Sequence, residues 1–377
     1  MAQPPSAYDR AIQVLDQLRR PLPQGPLTTQ DGLPQGDPVF RGVPNVHGMQ
    51  QWLDHLGYSQ TDIARLNIIH VAGTKGKGST CAFIEAFLRQ HGRRTGFPQK
   101  TGLYTSPHLL RIPERIRINS DPLDDESFGK YVLEVFECLS ATGARLPGYL
   151  QMLALVSFHA FLCEGVDVAV YEAHRGGEYD ATNVIANPVI TAITTIGIDH
   201  IRGLGPTVEN IAWHKAGILK PGSLAFSAAQ EPSVSRVLSA RAASCGLNLE
   251  FVDMDSNLLT DLELDVQRIN CSLAHKVSEA FLVQLQRPAA TFERDGDLLS
   301  AEDVTAGIQN FYWPGRFDIV EADGYTCFLD GAHNEISVDK AASWFISQSL
   351  IRRYVEKLHI HEEGGLLSWL LDGTKQC

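Results

Sequence analysis

The chain has 377 residues, 44% of them hydrophobic, and a formal net charge of −12 from 44 acidic and 32 basic side chains. That length suits two domains and that apolar content a buried core, while the acidic balance argues against a non-specific nucleic-acid binder but leaves room for a local cationic cluster that takes small anions. Seven scattered cysteines without a CxxC pair, and the lack of any 18-residue apolar run, point away from a disulfide scaffold, a zinc site and a membrane span.

In chain order, Ala7 to Leu18 carries apolar residues at helical spacing and predicts a helix. The preceding Met-Ala-Gln-Pro-Pro has no signal-peptide core, so the expected location is cytoplasmic, with a mitochondrial form left open. Residues 21–47 are rich in Pro and Gly and read as a loop, after which Asn45 to Leu56 resumes helix. An apolar run, Leu66-Asn-Ile-Ile69, then leads into His70-Val-Ala-Gly-Thr-Lys-Gly-Lys-Gly-Ser-Thr80 and a helical pattern, Cys81 to Leu88. Strand, glycine-rich turn and helix let bare backbone N–H groups wrap a phosphate, and the helix N-terminus adds about half a positive charge there. Lys77 can reach terminal phosphate oxygens, and Ser79 or Thr80 can touch phosphate or its metal. Two residues, not the four of a Walker A loop, separate Gly73 from Gly76, so a plain glycine turn stays the alternative.

Further along, Gly102-Leu-Tyr-Thr-Ser-Pro-His108 reads as a strand end, followed by a basic stretch from Arg111 to Arg117. Leu150 to Leu162 is apolar and helical. Val166 to Glu172 alternates into a buried strand that ends in the turn Arg175 to Asn183, and the β-rich run Pro188 to Ile198 ends at Asp199-His200. Residues 223–310 carry weaker signals. Trp313-Pro-Gly-Arg316 marks a boundary, and Tyr325 to Asp330 is a strand leading into Gly-Ala-His333; Leu350 to Ile360 is helical again. Strands alternating with helices, with polar groups at strand C-terminal ends, define an α/β fold with a doubly wound parallel sheet that binds ligands at those ends. The expected domains are 1–310 and 311–377.

Several side chains at these ends suit phosphate chemistry, each with a structural alternative. Magnesium binds through one or two carboxylates plus substrate phosphates, and Glu172 is placed for that or for capping the next helix. His200 reads equally as a ligand of a second metal or a polar strand-end residue. Ser106, before Pro107, is most simply a turn serine. Lys215 lies in an apolar helical segment, where a lysine more often snorkels outward. Arg316 could hold a phosphate bidentately or form a salt bridge, and Asp330-Gly331 is also plain turn chemistry.

Taken in order, the motifs at 70–80, 102–109 and 115–119 (Arg-Ile-Arg-Ile-Asn), with Gly-Gly-Glu-Tyr-Asp-Ala-Thr-Asn (176–183), Ile-Gly-Ile-Asp-His (196–200), Ile-Ala-Trp-His-Lys-Ala-Gly-Ile (211–218), Trp-Pro-Gly-Arg (313–316) and Leu-Asp-Gly-Ala-His-Asn (329–334), resemble the folylpolyglutamate synthases, Mur-ligase-like ATP-dependent amide ligases. The resemblance covers about residues 5–345, and the insertion Phe97-Pro-Gln-Lys100 resembles the eukaryotic, fungal branch. It implies a P-loop-type ATP site at Gly73, Thr74, Lys75, Gly76, Lys77, Gly78, Ser79 and Thr80, with Lys77 on the transferred phosphate. It implies Mg2+ held by Ser106, Glu172 and His200, with a monovalent cation as a further option, and a carbamylated Lys215 supporting a metal. Arg316, Asp330 and His333 would reach the nucleotide from a Rossmann-like second domain. The reaction implied joins L-glutamate to the γ-carboxyl of a folyl-glutamate through an acyl phosphate, in a monomer with no nucleic-acid partner. The same chemistry on another acid, such as dihydropteroate or a secondary metabolite, and a catalytically impaired nucleotide-binding paralogue are the alternatives.

Two departures from the family pattern stand out. Where relatives carry Val-Gly-x-Gly-Gly after the glutamate, this chain has Ala173-His174-Arg175-Gly176-Gly177. Only 61 residues follow Arg316, so the C-terminal domain is expected to be truncated, with part of its sheet and of the glutamate site missing.

Overall fold

The computed structural model describes residues 4–19, 44–258, 262, 264–286, 298–322, 325–332 and 337–350. The chain divides at Tyr312/Trp313 into two compact units. In the first, the elements run α1 (Ala7–Gln17), α2 (Met49–His55), α3 (Gln60–Ala64), β1 (Ile69–Ala72), α4 (Lys77–Thr95), β2 (Thr101–Tyr104), β3 (Ile116–Ile118), β4 (Asp121–Pro122), α5 (Asp125–Ala141), α6 (Tyr149–Glu164), β5 (Val168–Glu172) and β6 (Ile190–Ile193). They continue with α7 (Ile201–Leu204), α8 (Val208–Lys215), β7 (Leu224–Ala228), α9 (Pro232–Ser244), β8 (Leu249–Val252), α10 (Asp265–Gln286) and α11 (Ala301–Gln309).

These strands form one eight-stranded sheet in the order β4-β3-β2-β5-β1-β6-β7-β8. From β2 to β8 the neighbours are parallel; β3 and β4 add an antiparallel edge, so the sheet is mixed where the sequence pattern suggests a wholly parallel one. The difference has a local cause: the short connection from β2 through the turn 112–115 cannot make a parallel crossover, which needs a dozen residues or more. Strands β1, β2, β5 and β6 are buried along their whole length, as expected of a sheet covered on both faces.

One helical layer is α4 with α10 and α11, joined by the stacked rings of Phe83 and Phe311. The other is α1, α2, α5 and α6, whose apolar faces form a single cluster around Leu15, Leu53, Phe128, Phe158 and Tyr171; α8 and α9 build a second cluster against β6 and β7. Helices α1, α3 and α11 start with Ser side chains that accept the N3 amide while an Asp at N3 accepts the N-cap amide, the reciprocal arrangement that fixes a helix start.

Element positions shift from the sequence reading in instructive ways. The first strand is Ile69–Ala72, so His70-Val-Ala belongs to the sheet and the loop begins only at Gly73. The helix expected from Asn45 is confined to Met49–His55 because Gly48 at its N-cap has φ +83°. The run expected to remain β until Asp199-His200 leaves the sheet at Ile193, and His200, with φ +49°, starts the four-residue α7. Most of the expected loop 21–47 and all of 351–360 lie outside the described residues.

In the second unit, β9 (Asp318–Ala322) and β10 (Tyr325–Leu329) form an antiparallel pair, and residues 337–350 are helical. Trp344 packs edge-on against Phe317 and Phe328.

Candidate functional site

The order of the sheet sets the site. The chain leaves β1 to build β2 and β5 on one side and β6 on the other, so the C-terminal end of β1 is a topological switch point, where open α/β sheets bind ligands. Gly73 follows β1 directly, with φ +152°, and a Cβ there would run into the Thr194 hydroxyl. Gly76, with φ +84°, is the N-cap of α4, and a Cβ there would strike the buried side chain of Asn270 on α10. Both glycines are demanded by close approach as well as by backbone conformation.

The loop is anchored to the neighbouring strand. The amides of Thr74 and Lys75 both donate to the Thr195 carbonyl, at 3.0 and 3.1 Å, and the Thr74 hydroxyl exchanges hydrogen bonds with the backbone of Gly197. Of the expected cradle, Gly73, Thr74 and Lys75 therefore serve the loop's own shape. The amides of Lys77, Gly78 and Ser79 belong to the first turn of α4 and have no intrahelical acceptor. Thr80 is fully buried and its Oγ1 has no hydrogen-bond partner among the described residues.

Around this loop the structure gathers most of the charged groups that the sequence nominates. Glu172, the last residue of β5, is 3% exposed; its Oε1 lies 3.7 Å from Nζ of Lys77 and its Oε2 accepts the Ser106 amide at 2.9 Å. Lys215 points inward, not outward: it is buried and donates to the Gly73 carbonyl at 2.5 Å. It is the last residue of the short helix α8, and its amine ends on the glycine loop after β1. Burial, reinforced by the charge of Lys77, holds its amine well below the usual lysine range despite Asp199 and Asp180. His200 feels the charges of Asp199, Arg175, Lys215 and Lys77, and burial holds its imidazole below its ordinary value. Its Nε2 is 3.8 Å from Asp199 Oδ2.

Next to Glu172, the unusual Ala173-His174-Arg175 segment forms a buried relay that the motifs do not announce. The Tyr104 hydroxyl and His174 Nε2 are 2.7 Å apart, and His174 Nδ1 is 3.4 Å from Asp180 Oδ1. Burial raises the Tyr104 phenol far above its ordinary value, so it stays protonated. Asp180 also accepts from the Arg175 amide and from the amide and hydroxyl of Thr182, and Thr182 in turn meets His70 Nε2 at 2.8 Å.

Sequence reasoning also missed Asn270 and Thr195, which shape the loop. Neither lies in a recognisable motif; their roles exist only once α10 and β6 are placed against α4. In the second unit, Arg316 and Asp330 come together: the Phe317 amide donates to Asp330 Oδ2 at 3.0 Å, and a Cβ on Gly331 would meet the Arg316 guanidinium. His333 lies outside the described residues. Among the described residues, no three His, Cys, Asp or Glu side chains form a ready metal cage.

An open α/β sheet with a glycine loop at its switch point and a carboxylate–lysine pair beside it defines a Mur-ligase-like architecture. No family model matches the chain. It is 41% identical over 360 residues to the folylpolyglutamate synthase of Neurospora crassa, covering 92% of this chain and 66% of that protein. It superposes on an FPGS–AMPPCP–folate complex with a TM-score of 0.73 at 24% identity, covering 90% of this chain and 80% of that one. With the Mycobacterium tuberculosis folylpolyglutamate synthase complexed with ADP and AMPPCP, the TM-score is 0.68 at 27% identity, covering 80% and 71%. Over the region it spans, the chain belongs to the folylpolyglutamate synthase family. It spans 56–66% of the length of such curated relatives. No helix among the described residues is long and apolar enough to cross a membrane.

Proposed function

We propose that this chain performs ATP-dependent ligation of L-glutamate to the γ-carboxyl of a (tetrahydro)folyl-glutamate. The observation that carries the reading is the convergence of Lys77, Glu172, Ser106 and the buried Lys215 on one phosphate loop in a chain of this family. A carboxylate resists attack by an amine because oxide is a poor leaving group. Transfer of the γ-phosphoryl group to a carboxylate oxygen, with ADP leaving, converts it to an acyl phosphate; the glutamate amine then attacks the acyl carbon and phosphate departs. The amides of Lys77, Gly78 and Ser79 and the Lys77 ammonium are the groups placed to bear charge that spreads over the transferred phosphoryl oxygens.

The donor set suits magnesium. One buried carboxylate and the Ser106 hydroxyl would supply hard oxygen ligands, with phosphate oxygens and water completing the shell, and the Thr80 hydroxyl, without a partner among the described residues, lies in the first turns of α4. His200, whose imidazole desolvation holds below its ordinary value, is assigned as the nitrogen ligand. Bound there, the ion would neutralise phosphate charge. Burial, which holds the Lys215 amine well below the usual lysine range, favours the unprotonated form that reacts with carbon dioxide, which supports its assignment as a carbamate. Arg316, Asp330 and His333 are assigned to the nucleotide by family position, and the protein is read as a cytoplasmic monomer.

The test is ADP release from the purified chain. Release that requires both a folate acceptor and glutamate is the expected result; nucleotide binding without acid-dependent release refutes the reading. The His174–Arg175 departure favours one second reading, the same chemistry on a different acid, for which another carboxylic acid would replace the folate in that assay.

A further inference from the structure

The ligation chemistry leaves one buried cation unexplained. Arg115 ends the turn Ile112–Arg115 and is 6% exposed. Its Nε donates to Nδ1 of His108 at 2.8 Å, and its Nη1 is buried without a hydrogen-bond partner among the described residues. Its guanidinium lies 5.9 Å from the centre of the Tyr149 ring, and that of Arg19 lies 4.7 Å from the same ring, with Nη2 reaching the Tyr149 hydroxyl at 3.4 Å. The nearest-sequence carboxylate, Glu114, is turned elsewhere: it accepts the amides of Leu109, Leu110 and Arg111. Arg19 is paired with Asp16 at 3.1 Å, but Arg115 has only an imidazole acceptor among the described residues.

A guanidinium withdrawn from water without a carboxylate is costly, and an unmade hydrogen bond at a buried N–H adds to the cost. Such a group is retained where an anion completes it, and the planar fork of arginine matches a carboxylate. The place is suggestive. The Arg115 carbonyl accepts the Thr105 amide at 3.0 Å, and the next residue, Ser106, binds Glu172. The cluster therefore sits one loop away from the phosphoryl-transfer groups. Tyr149, faced by two cations, offers a stacking surface.

We propose that Arg115, with Arg19 and Tyr149, forms a subsite for an acceptor acid that carries an aromatic ring and a second carboxylate, binding the carboxylate that is not phosphorylated. The folate identity of that acid rests on the function proposed above; the subsite chemistry does not.

The test is calorimetric titration of the full chain with N-(4-aminobenzoyl)-L-glutamate and with folic acid, using AMPPCP as the control ligand. Arg115→Gln is expected to weaken both acids at least tenfold, Arg115→Lys to restore part of the loss, and Arg19→Gln to cost about threefold, with AMPPCP affinity unchanged throughout. Acid affinities within twofold of wild type in a folded Arg115→Gln protein overturn the proposal. Should that variant not fold, the exposed Arg19→Gln decides, and an unchanged affinity there overturns it too. A wild-type chain that binds neither acid also overturns it. Arg115-dependent binding of the aminobenzoyl acid without folate-dependent ADP release upholds the subsite and removes the folate reading.

Discussion

Lys215 shows how a single side chain separates stability from chemistry. Its amine is buried, held well below the usual lysine range by burial and by Lys77, and contributes one short hydrogen bond to the Gly73 carbonyl. Replacing a buried ionisable group with an apolar residue of similar shape is often neutral or stabilising. Lys215→Met is therefore expected to leave the unfolding free energy within about 1 kcal/mol of wild type, the scale of one lost hydrogen bond, while abolishing acid-dependent ADP release. Chemical denaturation and the ADP assay on the same preparation check both halves. A large loss of stability would mean that the amine is a structural strut. Neighbouring Lys77 differs: it is in contact with the Glu172 carboxylate, so its removal strands a buried charge and is expected to cost stability as well as turnover.

At the level of elements, the segment after β5 and the end of α8 are interlocked. A Cβ on Gly177 would lie 2.6 Å from the His214 carbonyl oxygen and 2.7 Å from that of Lys215, and the Glu178 amide already donates to the His214 carbonyl at 2.7 Å. Gly177→Ala must push the loop off α8, and overpacking of that kind costs about 1–3 kcal/mol. Because α8 carries Lys215, ADP release should fall further than stability does; urea denaturation beside the kinetic assay checks it, and an unperturbed variant would refute the interlock. This junction also marks how far the sequence could be read. Strand, loop and helix from Ile69 to Leu88 were legible because buried strands and glycine loops leave local patterns, and Glu172 was legible as the polar end of an apolar run. The antiparallel edge of β3 and β4, the early exit of β6 at Ile193 and the contact of Gly76 with Asn270 were not, since each depends on partners far away in the chain. The inward turn of Lys215 was hidden for the same reason: periodicity gives the face of a helix, not what covers it.

For the molecule as a whole, buried histidines couple stability to pH. Burial pushes His70 down to about 3, against a partial rise from Asp180, and His214 down to about 4, with the nearby arginines and Lys215 adding to the effect. In the unfolded chain both titrate near 6.5, so above that value neither state binds the extra protons and stability is unaffected. Below it the unfolded chain takes up two protons that the folded chain refuses, and stability falls by about 1.4 kcal/mol per pH unit for each group until the folded pKa is reached. Between pH 6.5 and 5 the loss should come to about 2–4 kcal/mol, a large part of the roughly 5–15 kcal/mol that holds a domain together. Desolvation works against Asp180, but His174 and its hydrogen bonds hold it low, so it loses its contribution only at still lower pH, in the same direction; Glu85, raised by burial, works the other way as its carboxyl protonates. Urea denaturation midpoints at pH 7 and pH 5 provide the measurement, with His70→Gln expected to remove about half of the slope. A midpoint that does not change over this range would show that water or protons reach both imidazoles in the folded chain.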